Sequence, residues 1–332
     1  MLDEPKALLQ PMTLSKILDK TFKIYGSNFA AIMVFSALIG GILTFLGGLI
    51  TQTILPIRLF TSEWMGIFRE PEINSNMILD FFRGMLPTFF IFQGIHSLII
   101  FIDSIFIAPF VQGGIISLSY REIIGQRLDT RESVRDSWKK FWNFVLTGLA
   151  LIPYYLGIGI ILIIASIIIL IPTGIMGILM AANGATVWTV VPFVFFLITA
   201  ILLIALISMA VGPFTVFTYQ TAAIEGNYGF KAIGRSFKLV IRKYWRVLGI
   251  NFLISLFLAL AIGILSSMGG IFALISPLSA IINVFSGFIA RVFVTPLAYI
   301  AGTLLFIDVR ARVEGTKQVG EHNGDFLPES EV

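Results

Sequence analysis

The stretch Phe230-Lys-Ala-Ile-Gly-Arg-Ser-Phe-Lys-Leu-Val-Ile-Arg-Lys-Tyr-Trp-Arg246 decides how the rest of the chain is read. Lys231, Arg235, Lys238, Arg242 and Arg246 recur at steps of four, three, four and four, which stacks them on one face of a helix. Phe230, Ile233, Phe237, Val240, Ile241 and Tyr244 take the opposite face. No acidic residue interrupts the run, and the apolar segment Val247 to Ser267 follows directly. The spacing predicts a helix along a membrane surface that feeds a helix crossing it.

Composition agrees. Of 332 residues, 57% are hydrophobic and only 13% charged, about half the charge of a soluble domain, and the mean hydropathy is +0.94. Several runs exceed the roughly 18–20 apolar residues that cross a bilayer. Asp3, Glu4, Lys16, Asp19, Lys20 and Lys23 scatter charge over the first 27 residues, so the first spanning helix is expected to serve as the insertion signal. Cysteine is absent, which excludes disulfides and thiolate metal sites. The net charge of +4 points, in this setting, to anionic lipid headgroups and not to nucleic acid.

Outward from the opening stretch, Thr13 to Ser27 and Asp129 to Phe141 read as two further surface helices, the second opened by Asp129 and Glu132 in capping-box spacing. Spans are expected at about Phe29–Leu55, Leu86–Leu118, Phe144–Ile171, Val187–Tyr219 and Val247–Ser267. A sixth falls within Ile271–Ile307, which is long enough to tilt or to break near Ser276-Pro277. Residues 1–11 are read as a loose tail, 56–86 as a loop, and Pro172–Gly184 and Met268-Gly-Gly270 as turns. Gly40/Gly41 and Gly47/Gly48, seven apart, leave a smooth strip for a neighbouring helix. Nineteen of the 23 Lys and Arg residues fall before the first span, in 120–141, in 220–246 and after 307; the alternate loops hold only Arg58, Arg69 and Arg83. The positive-inside rule then puts both termini in the cytoplasm.

The three surface helices share a tetrad of a charged residue, a hydroxyl residue, an aromatic and lysine: Lys20-Thr-Phe-Lys23, Asp136-Ser-Trp-Lys139 and Arg235-Ser-Phe-Lys238. Each precedes two spans, and the second span of each pair carries a proline: Pro109, Pro213 and Pro296. The expected fold is therefore all-α and integral to the membrane. It has about six transmembrane helices as three repeated hairpins, each preceded by a cytoplasmic amphipathic helix. The units cover about 12–128, 129–227 and 228–315 of a single membrane domain over 1–332, with a flexible cytoplasmic tail at 316–332. Each proline removes a backbone donor, so each second helix is a candidate for a kink.

Asp103 and Arg291 are the charges most out of place, since either is costly in the bilayer unless paired or wetted. They lie six and five residues before Pro109 and Pro296, at nearly the same depth in the first and third units, and are expected to pair. His96, two turns before Asp103, and Gln93 extend a candidate intramembrane polar site. Lys231, Arg235, Lys238, Arg242, Lys243 and Arg246 are candidate lipid-headgroup contacts. The residues offer no phosphate loop ending in Lys-Ser/Thr, no G-x-S-x-G elbow, no zinc-protease His-Glu pair and no paired membrane aspartates. The expectation is a non-enzyme with no catalytic residues, metal or cofactor.

The run Leu14-Ser-Lys-Ile-Leu-Asp-Lys-Thr-Phe-Lys-Ile-Tyr-Gly-Ser-Asn-Phe29 resembles the opening of bacterial membrane proteins labelled as carrying a glycerophosphoryl diester phosphodiesterase membrane domain. Thr303-Leu-Leu-Phe-Ile-Asp-Val-Arg-Ala-Arg-Val-Glu-Gly315 resembles that group's ending. In some of those proteins the membrane region precedes a soluble phosphodiesterase barrel. Only 17 residues follow Gly315 here, so the expectation is a chain without the barrel, and the label's activity is not carried over. The resemblance implies a multi-pass protein of the bacterial cytoplasmic membrane acting as an accessory or scaffold. Its expected partners are the bilayer, anionic headgroups on the cytoplasmic face, and a membrane or soluble protein. The alternatives are a transporter or lipid-handling protein using the Asp103/Arg291 region and, more remotely, an immunity or stress-resistance protein.

Overall fold

The computed structural model describes residues 11–50, 75–126, 129–183, 187–273 and 279–324. Among these the chain is helical with no strand. Six helical segments are long and apolar enough to cross a membrane: Phe29–Gly48, Gln93–Ile123, Phe141–Ile168, Phe193–Glu225, Tyr244–Leu265 and Ile281–Glu314.

Helix α1 (Leu14–Ser27) starts where the Thr13 hydroxyl accepts the Lys16 N–H. Asn28 leaves helical geometry, and α2 (Phe29–Gly48) begins, wound as a π-helix between Val34 and Gly41. Then come α3 (Ser75–Ile102), a π turn at Asp103–Ile107 and α4 (Ala108–Ile123). Helix α5 (Thr130–Lys139) is followed by α6 (Phe141–Asn183) and α7 (Val187–Val211), which pack on each other. Short turns, the last a π turn at Thr221–Glu225, lead to α8 (Phe230–Arg242) and α9 (Tyr244–Ala273). Helix α10 (Ser279–Ile289), a π turn at Ala290–Val294 and α11 (Thr295–Gly324) complete the chain.

One backbone device joins α1, α5 and α8 to the spans after them. Asn28, Lys140 and Lys243 each step out of helical geometry for a single residue. Their carbonyls then accept the N–H groups of Ile32, Phe144 and Val247, the first bonds of the next helix. A bend of one residue thus turns the chain without leaving a carbonyl bare. The opening stretch is therefore not one helix to Arg246 but two, with Lys243 as the elbow. In the tetrads before these elbows, the hydroxyl residue is buried in every case: Thr21, Ser137 and Ser236. The lysine is exposed in every case: Lys23, Lys139 and Lys238.

The core gathers at the end of the bundle that carries α1, α5 and α8. Phe35, Phe110, Ile115, Phe217, Leu304 and Phe306 are buried there. The glycines of α2 serve two neighbours, not one strip. A Cβ on Gly40 or Gly47 would press on Val111 and Ile99, while one on Gly41 or Gly48 would press on Phe288 and Val284. Glycine there lets α2 approach the second and the last spans at once. In their most apolar 18-residue stretches, spans two and six are 50% and 61% buried, whereas three and four are 6% and 0% buried, so those stretches of α6 and α7 stand out from the bundle.

Several expected boundaries move. Residues 75–86 belong to α3 and not to a loop. Helix α6 runs through Pro172 to Asn183, and α9 runs through Met268-Gly-Gly270 to Ala273, where turns were expected. In hydrocarbon, backbone groups have no water to turn to, so helices persist through residues that end them in soluble proteins. The segment around Ser276-Pro277 and most of 1–11 lie outside the described residues; Met12, just after that tail, is buried. Asp308 to Glu314 is helix and largely core, and α11 extends to Gly324, so part of the segment read as a flexible tail is helical.

Candidate functional site

The two misplaced charges meet. Arg291 Nη2 donates to both Asp103 oxygens, at 2.7 and 2.8 Å, linking residues 188 apart. The prolines explain how each gets there. Proline N carries no hydrogen, and its ring crowds the carbonyl four residues back, so the preceding turn must widen. The Ala108 N–H accordingly reaches back five residues to Asp103 O, and the Thr295 N–H reaches back five to Ala290 O. Asp103 opens one π turn and Arg291 is second in the other. Pro213 gives a different answer, a 3₁₀ turn over Gly212–Thr215, and no charge sits beside it. Buried Pro109, Pro213 and Pro296 thus re-wind their helices locally.

Arg291 also lines a cavity of about 100 Å³ with Ser36, Val111, Thr295, Pro296 and Tyr299. Its size suits a few waters. Gln93 and His96 do not join this site. Gln93 is exposed, and His96 Nδ1 is buried with no hydrogen-bond partner among the described residues. His96 lies two turns before Asp103, in the continuous helix Ser75–Ile102, but among the described residues no hydrogen bond links it to the Asp103–Arg291 pair.

A second constellation escaped the sequence reading. Asp308, fully buried, accepts from the Met12 N–H at 2.6 Å, from Arg246 Nε at 2.7 Å and from Arg312 Nε at 3.0 Å. Arg246 Nη2 closes the ring by donating to the Met12 carbonyl at 2.6 Å. On the other side of α11, Arg235 forks onto Glu225 with two bonds of 2.8 Å and also pairs with Glu314. Its hydrogen bond to Glu225 holds the Arg235 guanidinium above its usual pKa, against the opposing effect of burial. Arg310 lies 3.9 Å from Glu225 and 3.7 Å from Glu314. The signal was the spacing Asp308, Arg310, Arg312, Glu314, which sets two i,i+4 pairs on opposite sides of one helix.

Two of the candidate headgroup cations have partners within the protein. Arg235 and Arg246 spend their donors on carboxylates and the Met12 carbonyl and hold the bundle together. Lys231, Lys238, Arg242 and Lys243 are exposed. An open groove of about 550 Å³ runs beside Lys231, between the start of α6 and the turn before α8. Among the described residues no cluster of His, Asp and Glu has the arrangement of a metal site. Set beside known proteins, the chain matches no family model, no curated protein and no solved structure.

Proposed function

We propose that this chain is a non-enzymatic accessory or scaffold protein of the bacterial cytoplasmic membrane. In this reading both termini are cytoplasmic, and the fold is three copies of one unit: a surface helix, a single-residue elbow, and two spans. The repeat is supported by the buried hydroxyl and exposed lysine of each tetrad and by the matching elbows at Asn28, Lys140 and Lys243. The orientation is supported by the bias of Lys and Arg and by exposed Trp138, Trp142 and Trp245 at the elbows, where interfacial aromatics belong. The likeness of both chain ends to the phosphodiesterase-associated membrane group fits the same role without implying the activity.

The observation that carries the scaffold reading is the Asp103–Arg291 fork. A substrate-binding charge must be free to exchange partners; here each is committed to the other, beside a cavity too small for a solute beyond a few atoms. The test is flux across liposomes holding the purified protein, wild type against Asp103→Asn. The scaffold reading expects no flux above protein-free liposomes for either. Flux that Asp103→Asn abolishes would replace it with transport. That second reading draws on the same cavity, where Tyr299 and Arg291 offer polar groups inside the membrane.

A further inference from the structure

The groove beside Lys231 has two unlike walls. Leu146, Leu149 and Ala150 form one, at the start of α6, with Ala150 buried and both leucines open. Tyr228, Phe230 and Lys231 form the other, at the mouth of α8. Leu146, Leu149 and Phe230 remain exposed despite lining it. The walls are tied together by the Gly229 N–H, which donates to Thr147 Oγ1 at 3.1 Å, with Gly229 in left-handed geometry at φ +60°. A backbone donor on one wall and the buried Thr147 hydroxyl on the other thus fix the spacing of the groove.

The charge at its mouth is uncompensated. Glu225, the acid six positions away, is forked by Arg235 and bonded by Asn227, and among the described residues Lys231 makes no ion pair. An apolar trough against the bilayer with one unneutralised ammonium at its entrance fits an amphiphile with an anionic head. We propose that the groove holds one anionic phospholipid, its phosphate at Lys231 and an acyl chain along Leu146 and Leu149. This rests on the reading that α8 faces an anionic leaflet, and it deepens that reading from a diffuse basic face to a single built site.

The test is native mass spectrometry of the full-length protein in mild detergent, titrated with phosphatidylglycerol and with phosphatidylcholine of the same chains. Wild type should take up one phosphatidylglycerol in preference to phosphatidylcholine. Lys231→Gln should weaken phosphatidylglycerol about fivefold, the loss of roughly 1 kcal/mol expected per headgroup cation, and leave phosphatidylcholine unchanged. Leu149→Trp, which fills the trough at an exposed position, should weaken both lipids. Lys238→Gln, on the same helix but away from the groove, should stay within about twofold of wild type. Equal losses for Lys231→Gln and Lys238→Gln, or no effect of Leu149→Trp, would overturn the groove and leave the basic face standing. Glycerol 3-phosphate binding as tightly as the lipid would overturn the lipid as occupant. No preference for phosphatidylglycerol in wild type would sink both the groove and the anionic-leaflet reading beneath it.

Discussion

Removing one half of the Asp103–Arg291 fork should cost more than removing both halves in proportion. With the charge centres about 4 Å apart and an effective dielectric constant of about 20, their attraction is about 4 kcal/mol. Asp103 is 7% exposed and loses most of its water, while the Arg291 side chain keeps 31% of its surface open beside the cavity. Desolvation of the carboxylate therefore cancels part of the attraction, and a coupling of about 2 kcal/mol is expected. Asp103→Asn strands a guanidinium in the bundle and Arg291→Gln strands a carboxylate, each costing about 3 kcal/mol. The double variant should then cost about 4 kcal/mol, not 6. At roughly 2 °C per kcal/mol for a chain of this size, intrinsic-fluorescence melting in mild detergent should fall by about 6 °C for each single change and about 8 °C for the double. A fall of about 12 °C for the double, the plain sum of its parts, would mean that the two charges do not stabilise one another.

Three further outcomes follow from the packing. Asp308→Asn should release Met12, cost about 3 kcal/mol, and let protease cut on the N-terminal side of Leu14 at least tenfold faster; unchanged cleavage would refute the clamp. Gly41→Leu should destabilise by about 3 kcal/mol, because even a Cβ there would lie 2.8 Å from the Phe288 ring, whereas Gly26→Ala meets nothing within 4 Å and should leave the melting temperature unchanged. Arg235→Lys should cost about 1 kcal/mol despite keeping its charge, since an ammonium cannot reproduce the fork on Glu225; a melting temperature equal to wild type would show that the fork is dispensable.

Much of this fold was legible in the sequence, because crossing a bilayer demands long apolar runs that few other structures need. The spans, their order and α1, α5 and α8 follow from run length and charge spacing. What stayed hidden were features that depend on a third dimension. The step of 3.6 residues puts Arg235 and Arg246 on one basic face, but it does not show that α11 brings Glu314 and Asp308 to meet them. Likewise Asp103 and Arg291 lie 188 positions apart, and no spacing rule shows that their two π turns face each other. The turns expected at Pro172 and Met268 failed because their rules come from proteins surrounded by water. The contact between Asp103 and Arg291 was legible for a simple reason: charge inside a long apolar run is too costly to be left alone.

The clamp on Met12 also sets an order of events during synthesis. Its three fasteners, Arg246, Asp308 and Arg312, come 234, 296 and 300 positions later in the chain. Arg246 can reach the Met12 carbonyl first, but the Met12 amide waits for Asp308, 62 positions further on. A nascent protein stopped short of Asp308 therefore lacks the buried carboxylate that holds the Met12 amide and both arginines, and the head of α1 stays unfastened until that single residue arrives.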